Sequence, residues 1–112
     1  MTGREQRDHE YTVELEAGRS IRYRFDTDRG RVTAFTVQLE IYDPERDRWR
    51  PVIRYDDAHG APHRDIVDWD GRVVDKMWLP PGTTNEAAMA EARRDITTHH
   101  PTYAEAYWRT KP

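Results

Sequence analysis

The sequence predicts an α+β domain: a twisted antiparallel β-meander of five to six strands, then a C-terminal helix packed on one face. Three observations carry this. Apolar and polar residues alternate in short consecutive runs between Tyr11 and Leu79, which is the period of half-buried strands. Turn signals separate those runs, among them Gly18, Gly30, Pro44 and Asp70-Gly71. After Pro80-Pro81-Gly82 the period changes to that of a helix. Strands first and helix last is an α+β order.

Residues 1–9 are polar and unpatterned and read as a frayed tail of a single domain spanning 1–112. Tyr11, Val13 and Leu15 put an apolar residue at every second position, and Ile21, Tyr23 and Phe25 repeat the pattern after Ala17-Gly18, so the two runs form a hairpin. Residues 31–42 make the longest strand, with Phe35, Val37, Leu39 and Ile41 inward and a bulge near 34–36. Asp43-Pro44 turns the chain into a strand over 49–55, where Pro51 suits an edge or a strand start. Residues 64–68 and 72–79 flank the Asp70-Gly71 turn as a last hairpin. Thr83 and Glu86 match a capping box, opening a helix over 87–98. Pro101 breaks or kinks it, and a second short helix carries Tyr103, Ala106 and Tyr107.

The chain has 112 residues, a length that makes one domain with a thin core. Charged residues make up 35%, yet four Trp, six Tyr and two Phe supply enough apolar area for a folded chain. These aromatics are expected mostly in the core; Trp69 at a hairpin tip and Trp108 near the end are the two that would mark a partner surface if exposed. Net charge is −3, which argues against non-specific nucleic-acid binding but permits a local Arg patch. The absence of Cys excludes disulfides and Cys-ligated zinc. No apolar run is long enough to span a membrane and the charged start is not a signal peptide, so a soluble cytoplasmic protein is expected.

Titratable chemistry concentrates in 54–65, between two predicted strands. Here Arg54, Tyr55, Asp56, Asp57, His59, Gly60, His63, Arg64 and Asp65 surround a Gly60-Ala61-Pro62 turn. An imidazole both accepts and donates a proton near neutral pH. Folded together by the turn, His59 and His63 would serve as acid and base across a phosphodiester, aided by Asp57. Arg54 and Arg64 would bind phosphate, with Tyr55, Asp56, Gly60 and Asp65 in support. A metal-dependent hydrolase held by Asp57, His59, His63 and Asp65 is the next reading, but the spacing follows no strong ligand motif and Arg64 is a poor neighbour for a cation. No metal or cofactor is therefore assigned.

The run Tyr55-Asp56-Asp57-x-x-Gly60-x-x-His63-Arg64, set after β-hairpins and before an Asp-Gly turn and a helix, resembles the TumE-like toxins of toxin–antitoxin systems. The resemblance covers roughly 35–98. It implies a small α+β ribonuclease that attacks RNA and is restrained by an antitoxin protein. His63 carries over most directly, followed by Asp56, Asp57, Gly60 and Arg64. Such proteins often place a second histidine two residues after the first, where this chain has Asp65; it carries His59 in addition.

The competing reading is a non-catalytic interaction module. In it the loop is an ion-paired turn, and the C-terminal aromatics bind a partner or a second copy in a homodimer. The two readings differ on His63: open to solvent in the first, locked onto carboxylates in the second.

Overall fold

The computed structural model describes residues 6–112. Within them the order is β1 (Gln6–Glu16), β2 (Arg19–Asp28), β3 (Arg31–Asp43), β4 (Arg48–Asp56), β5 (His63–Val67), β6 (Val73–Trp78) and α1 (Asn85–Arg109). The strands form one antiparallel sheet in sequence order, β1 and β6 at its edges. This is the α+β meander with one C-terminal helix that the alternation predicts.

Alternation sorts the residues by face. Phe35, Val37, Leu39 and Ile41 of β3 are buried, together with Ile21 and Tyr23 of β2 and Ile53 and Tyr55 of β4. The helix lies on this layer through Ala88, Ala92, Ile96, Ala104 and Tyr107, and the small alanines let it approach β3 and β4 closely. Each fully buried Ile, Leu or Val contributes about 1.5–3 kcal/mol.

Two of the four register shifts among the described residues refine the pattern. Asp26 pairs with Ala34 and Thr27 with Val32, which leaves Thr33 as an extra residue just before the expected bulge. Leu39 pairs with Ile53 and Glu40 with Pro51, so Val52 is extra in β4. The bulge turns Val52 inward beside Ile53 and explains two consecutive buried residues.

Four expectations change. The strand at the start of the chain reaches back to Gln6: Gln6 to His9 pair with β2, and His9 stacks on Phe25 at 4.6 Å. Only 1–5 of the expected tail fall outside the described residues. The helix cap is Thr84, whose hydroxyl accepts from Ala87 N at 3.1 Å. Glu86 does not close a capping box; its carboxylate accepts from Val32 N of β3 at 2.9 Å. The helix is continuous through Pro101 for 25 residues, because Ala104 and Tyr107 beyond the proline are buried in the same layer as Ile96. Finally, Trp69 and Trp108 are partly buried against the core, whereas Trp49 and Trp78 are exposed. Arg46 accounts for Trp69: its guanidinium lies 3.6 Å above the indole, bonds Trp69 O and Tyr107 Oη at 3.0 Å, and pairs with buried Asp43 at 2.5 Å.

Candidate functional site

β4 and β5 bring the predicted site together and then divide it. Directly paired residues of an antiparallel sheet share a face, and successive residues alternate. Val37, Tyr55, Arg64 and Met77 are therefore one cross-strand row on the helix side. Thr36, Asp56, His63 and Trp78 form a row on the opposite side, with Gln38, Arg54, Asp65 and Lys76 beside it. His63 and Arg64 cannot address one phosphate, because the sheet lies between them.

On the open side His63 is sealed in, with 1% of its surface exposed. Its Nδ1 is 3.2 Å from Ala61 O, and its Nε2 is 3.2 Å from Asp56 Oδ1 and 3.6 Å from Asp65 Oδ2. The Trp78 ring lies over it, centroids 4.9 Å apart. Lys76 Nζ holds the other oxygen of Asp65 at 2.7 Å, and Ala58 N donates to Asp56 Oδ1 at 3.0 Å. The open imidazole expected from the sequence is thus replaced by a buried one, with Nδ1 against a backbone carbonyl and Nε2 facing two carboxylates.

The remaining loop residues have other tasks. His59 is exposed at the tip of a single 3-10 turn, Ala58–Gly60, with φ +70; its ring is 6.2 Å from that of His63. Gly60 takes φ +88, a conformation that favours glycine, and its N–H donates to Asp57 O. Asp57 accepts from Phe35 N at 3.2 Å and from Asn85 Nδ2 at 3.3 Å, tying the loop to β3 and to the helix start. Arg54 donates to Gln38 Oε1 at 3.2 Å. A cleft beside the loop is lined by Arg24, Asp26, Phe35, Thr36, Asp56 and Asp57, and neither histidine reaches it.

The helix side holds a cluster that reading the loop alone misses. The Asp95 carboxylate accepts from Tyr55 Oη at 2.5 Å, from Tyr103 Oη at 2.7 and 2.9 Å and from His99 Nδ1 at 2.9 Å. Arg64 reaches Tyr103 Oη at 3.4 Å and Asp75 at 3.3 Å, and its Nε has no hydrogen-bond partner among the described residues. Burial and the Asp95 hydrogen bond push the Tyr55 hydroxyl well above the usual tyrosine range, and the same causes push Tyr103 up to about 12. The signal was in the sequence: Asp95, His99 and Tyr103 recur at four-residue spacing, one face of a helix. Both tyrosine hydroxyls and His99 are directed at the one Asp95 carboxylate, which makes the cluster a polar weld between sheet and helix.

The model of a domain of unknown function (DUF7718) matches residues 3–112. No curated protein and no solved structure matches the chain. Among the described residues, no helix is long and apolar enough to cross a membrane.

Proposed function

The chain belongs to the DUF7718 family, and from its geometry we propose that the domain is a non-catalytic protein-interaction module, its 54–65 segment an ion-paired structural loop. The observation that carries this is the burial of His63, closed off from solvent by its neighbours Ala61, Asp56, Asp65 and Trp78. A general acid or base must reach the proton it transfers, either directly or through one water.

The surface this reading assigns to a partner is β6. All six of its residues are exposed, and Val73, Val74, Met77 and Trp78 are each 43–57% exposed. Its outer backbone edge has no neighbouring strand among the described residues. Free backbone groups together with apolar side chains on both faces suit an added strand from another protein. In this reading the docking surface is the sheet edge and not the C-terminal aromatics, which pack on the core.

The competing toxin reading keeps His59 and His63 as acid and base, and one experiment separates the two. Wild type and His63→Ala are expressed from a tight promoter while growth and RNA integrity are followed, and both proteins are purified for urea denaturation. The module reading expects no RNA loss from either and a marked fall in stability for His63→Ala. RNA cleavage by the wild type, abolished in a stably folded His63→Ala protein, refutes it. A peptide-display selection against the domain then tests the edge: selected extended peptides should lose binding to a Val74→Glu/Trp78→Glu variant.

A further inference from the structure

We propose that Asp56, His63 and Asp65 form a binding site for a divalent cation of zinc or manganese type. The set differs from the one the spacing suggests: Asp56 takes the place of Asp57, and His59 is not among the converging donors. Asp56 and His63 are directly opposite on β4 and β5, and Asp65 lies two residues along on the same face. Three donors thus converge from rigid strands, which hold a site more firmly than loops do.

The hydrogen bonding leaves a gap that calls for a cation. Ala61 O can only accept, so Nδ1 of His63 carries the proton of that 3.2 Å contact. In the neutral ring Nε2 then presents a lone pair to Asp56 Oδ1 and Asp65 Oδ2, which are acceptors themselves. Ligand atoms from the three residues lie within 4.8 Å of one another. Such a group repels itself unless something electron-poor sits among its members. A proton bridges one pair, whereas a divalent cation satisfies all three.

One edge of the site already has the size a cation needs. A cation about 2.1 Å from each donor separates neighbouring donors by roughly 3.0–3.4 Å in octahedral or tetrahedral geometry; the 3.2 Å from Nε2 to Asp56 lies within this range and the 3.6 Å to Asp65 lies slightly beyond it, so binding would draw Asp65 Oδ2 inward. One imidazole and two carboxylates suit zinc or manganese better than calcium, which takes oxygen ligands. An imidazole whose far N–H is held by a backbone carbonyl is the outer arrangement metal-binding histidines use, and Lys76 on Asp65 and Ala58 N on Asp56 fix the carboxylates in the same manner. His59, exposed and with its ring 6.2 Å from that of His63, is the nearest candidate for a further ligand. The Lys76 ammonium opposes the cation and sets the affinity lower than the donors alone would.

The test uses the full chain freed of metal with EDTA and then of chelator. Zn2+ is titrated by calorimetry and Mn2+ by NMR. One equivalent should saturate the protein, and Mn2+ should broaden the signals of 56, 63, 65 and the Trp78 indole before those of His9, His99 or His100. Asp56→Asn and Asp65→Asn should each weaken Zn2+ by at least about tenfold, and Lys76→Met should tighten it. His63→Ala is a poor deciding variant because the ring is buried; Asp56→Asn, checked for fold by circular dichroism, takes its place. Absence of saturable binding, unchanged affinity in both Asn variants, or broadening centred on His99 and His100 would overturn the site. The outcome is independent of peptide binding at β6.

Discussion

His63 and Arg64 are adjacent in the chain and lie on opposite faces of the sheet: the imidazole meets Asp56 and Asp65, and the guanidinium meets Tyr103 and Asp75 on the helix side. A strand forces this division, since consecutive side chains leave it in opposite directions. It divides the residues of the expected cluster into two groups, one on each face, each with measurable consequences.

The first concerns His63 itself. Removing a buried imidazole from between two carboxylates leaves a cavity beneath the loop, and truncating a buried aromatic ring to alanine costs roughly 3–5 kcal/mol. In chelator-treated protein, His63→Ala should lower the unfolding free energy by an amount in or near this range, read from urea denaturation at unchanged m-value. A variant as stable as wild type would show that the ring does not hold the loop.

His59 should behave in the opposite sense. It takes φ +70 with a β-carbon present, a conformation that costs a non-glycine residue about 1–2 kcal/mol. His59→Gly should therefore be neutral or stabilising by up to about 1 kcal/mol in the same titration. A large loss would mean that the exposed ring makes contacts its position does not suggest.

These two histidines also mark what was legible in the sequence. Alternation revealed the meander, the inward set of β3 and the helix that follows, because period and turn chemistry are local. It could not show that β5 begins at His63 and not Arg64, and that single residue decides whether His63 obeys the alternation of a strand or the freedom of a loop. The Asp95 weld was half legible: Asp95, His99 and Tyr103 stand on one helix face, but their partner Tyr55 is 40 residues away. Arg46, whose contacts reach Trp69 and Tyr107, was illegible for the same reason.

The Asp95 weld predicts a pH dependence. Tyr55 and Tyr103 ionise less readily when folded than at the ordinary tyrosine value of 10.0. Groups raised in this way contribute stability that is complete below the unfolded pKa and is lost as pH climbs toward the folded one. Stability should therefore fall between about pH 10 and 12, and Tyr103→Phe should flatten that fall while costing roughly 1–3 kcal/mol at pH 7. Denaturation midpoints across this pH range check it, with phenolate absorbance as a second readout. Identical alkaline profiles for the variant and wild type would remove Tyr103 from the account.

Arg46 joins the β3–β4 turn to the β5–β6 hairpin and the end of the helix, and its bonds to Asp43 hold that carboxyl below the usual carboxylate range. Lysine cannot reproduce three directed contacts and a planar stack on Trp69. Arg46→Lys should thus lose most of the thermal stability that Arg46→Ala loses, with Trp fluorescence reporting release of the Trp69 indole. Retention of wild-type stability by the lysine variant would reduce Arg46 to a point charge.

Pro101 is the last test, since it opposes its own surroundings. Proline lacks the N–H that would bond to the fourth residue back and crowds that carbonyl, at a cost of about 3 kcal/mol in a helix interior. The helix nevertheless continues, held on one side by Asp95 bonded to Tyr55 and on the other by buried Ala104 and Tyr107. Pro101 is exposed and makes none of these contacts. Pro101→Ala should therefore raise stability by about 1–3 kcal/mol, measured by urea denaturation, and increase protection from hydrogen exchange in the turn around it. A destabilised alanine variant would mean that the proline sets a bend the sheet requires, and the helix would then be fitted to the sheet by Pro101 instead of continuing in spite of it.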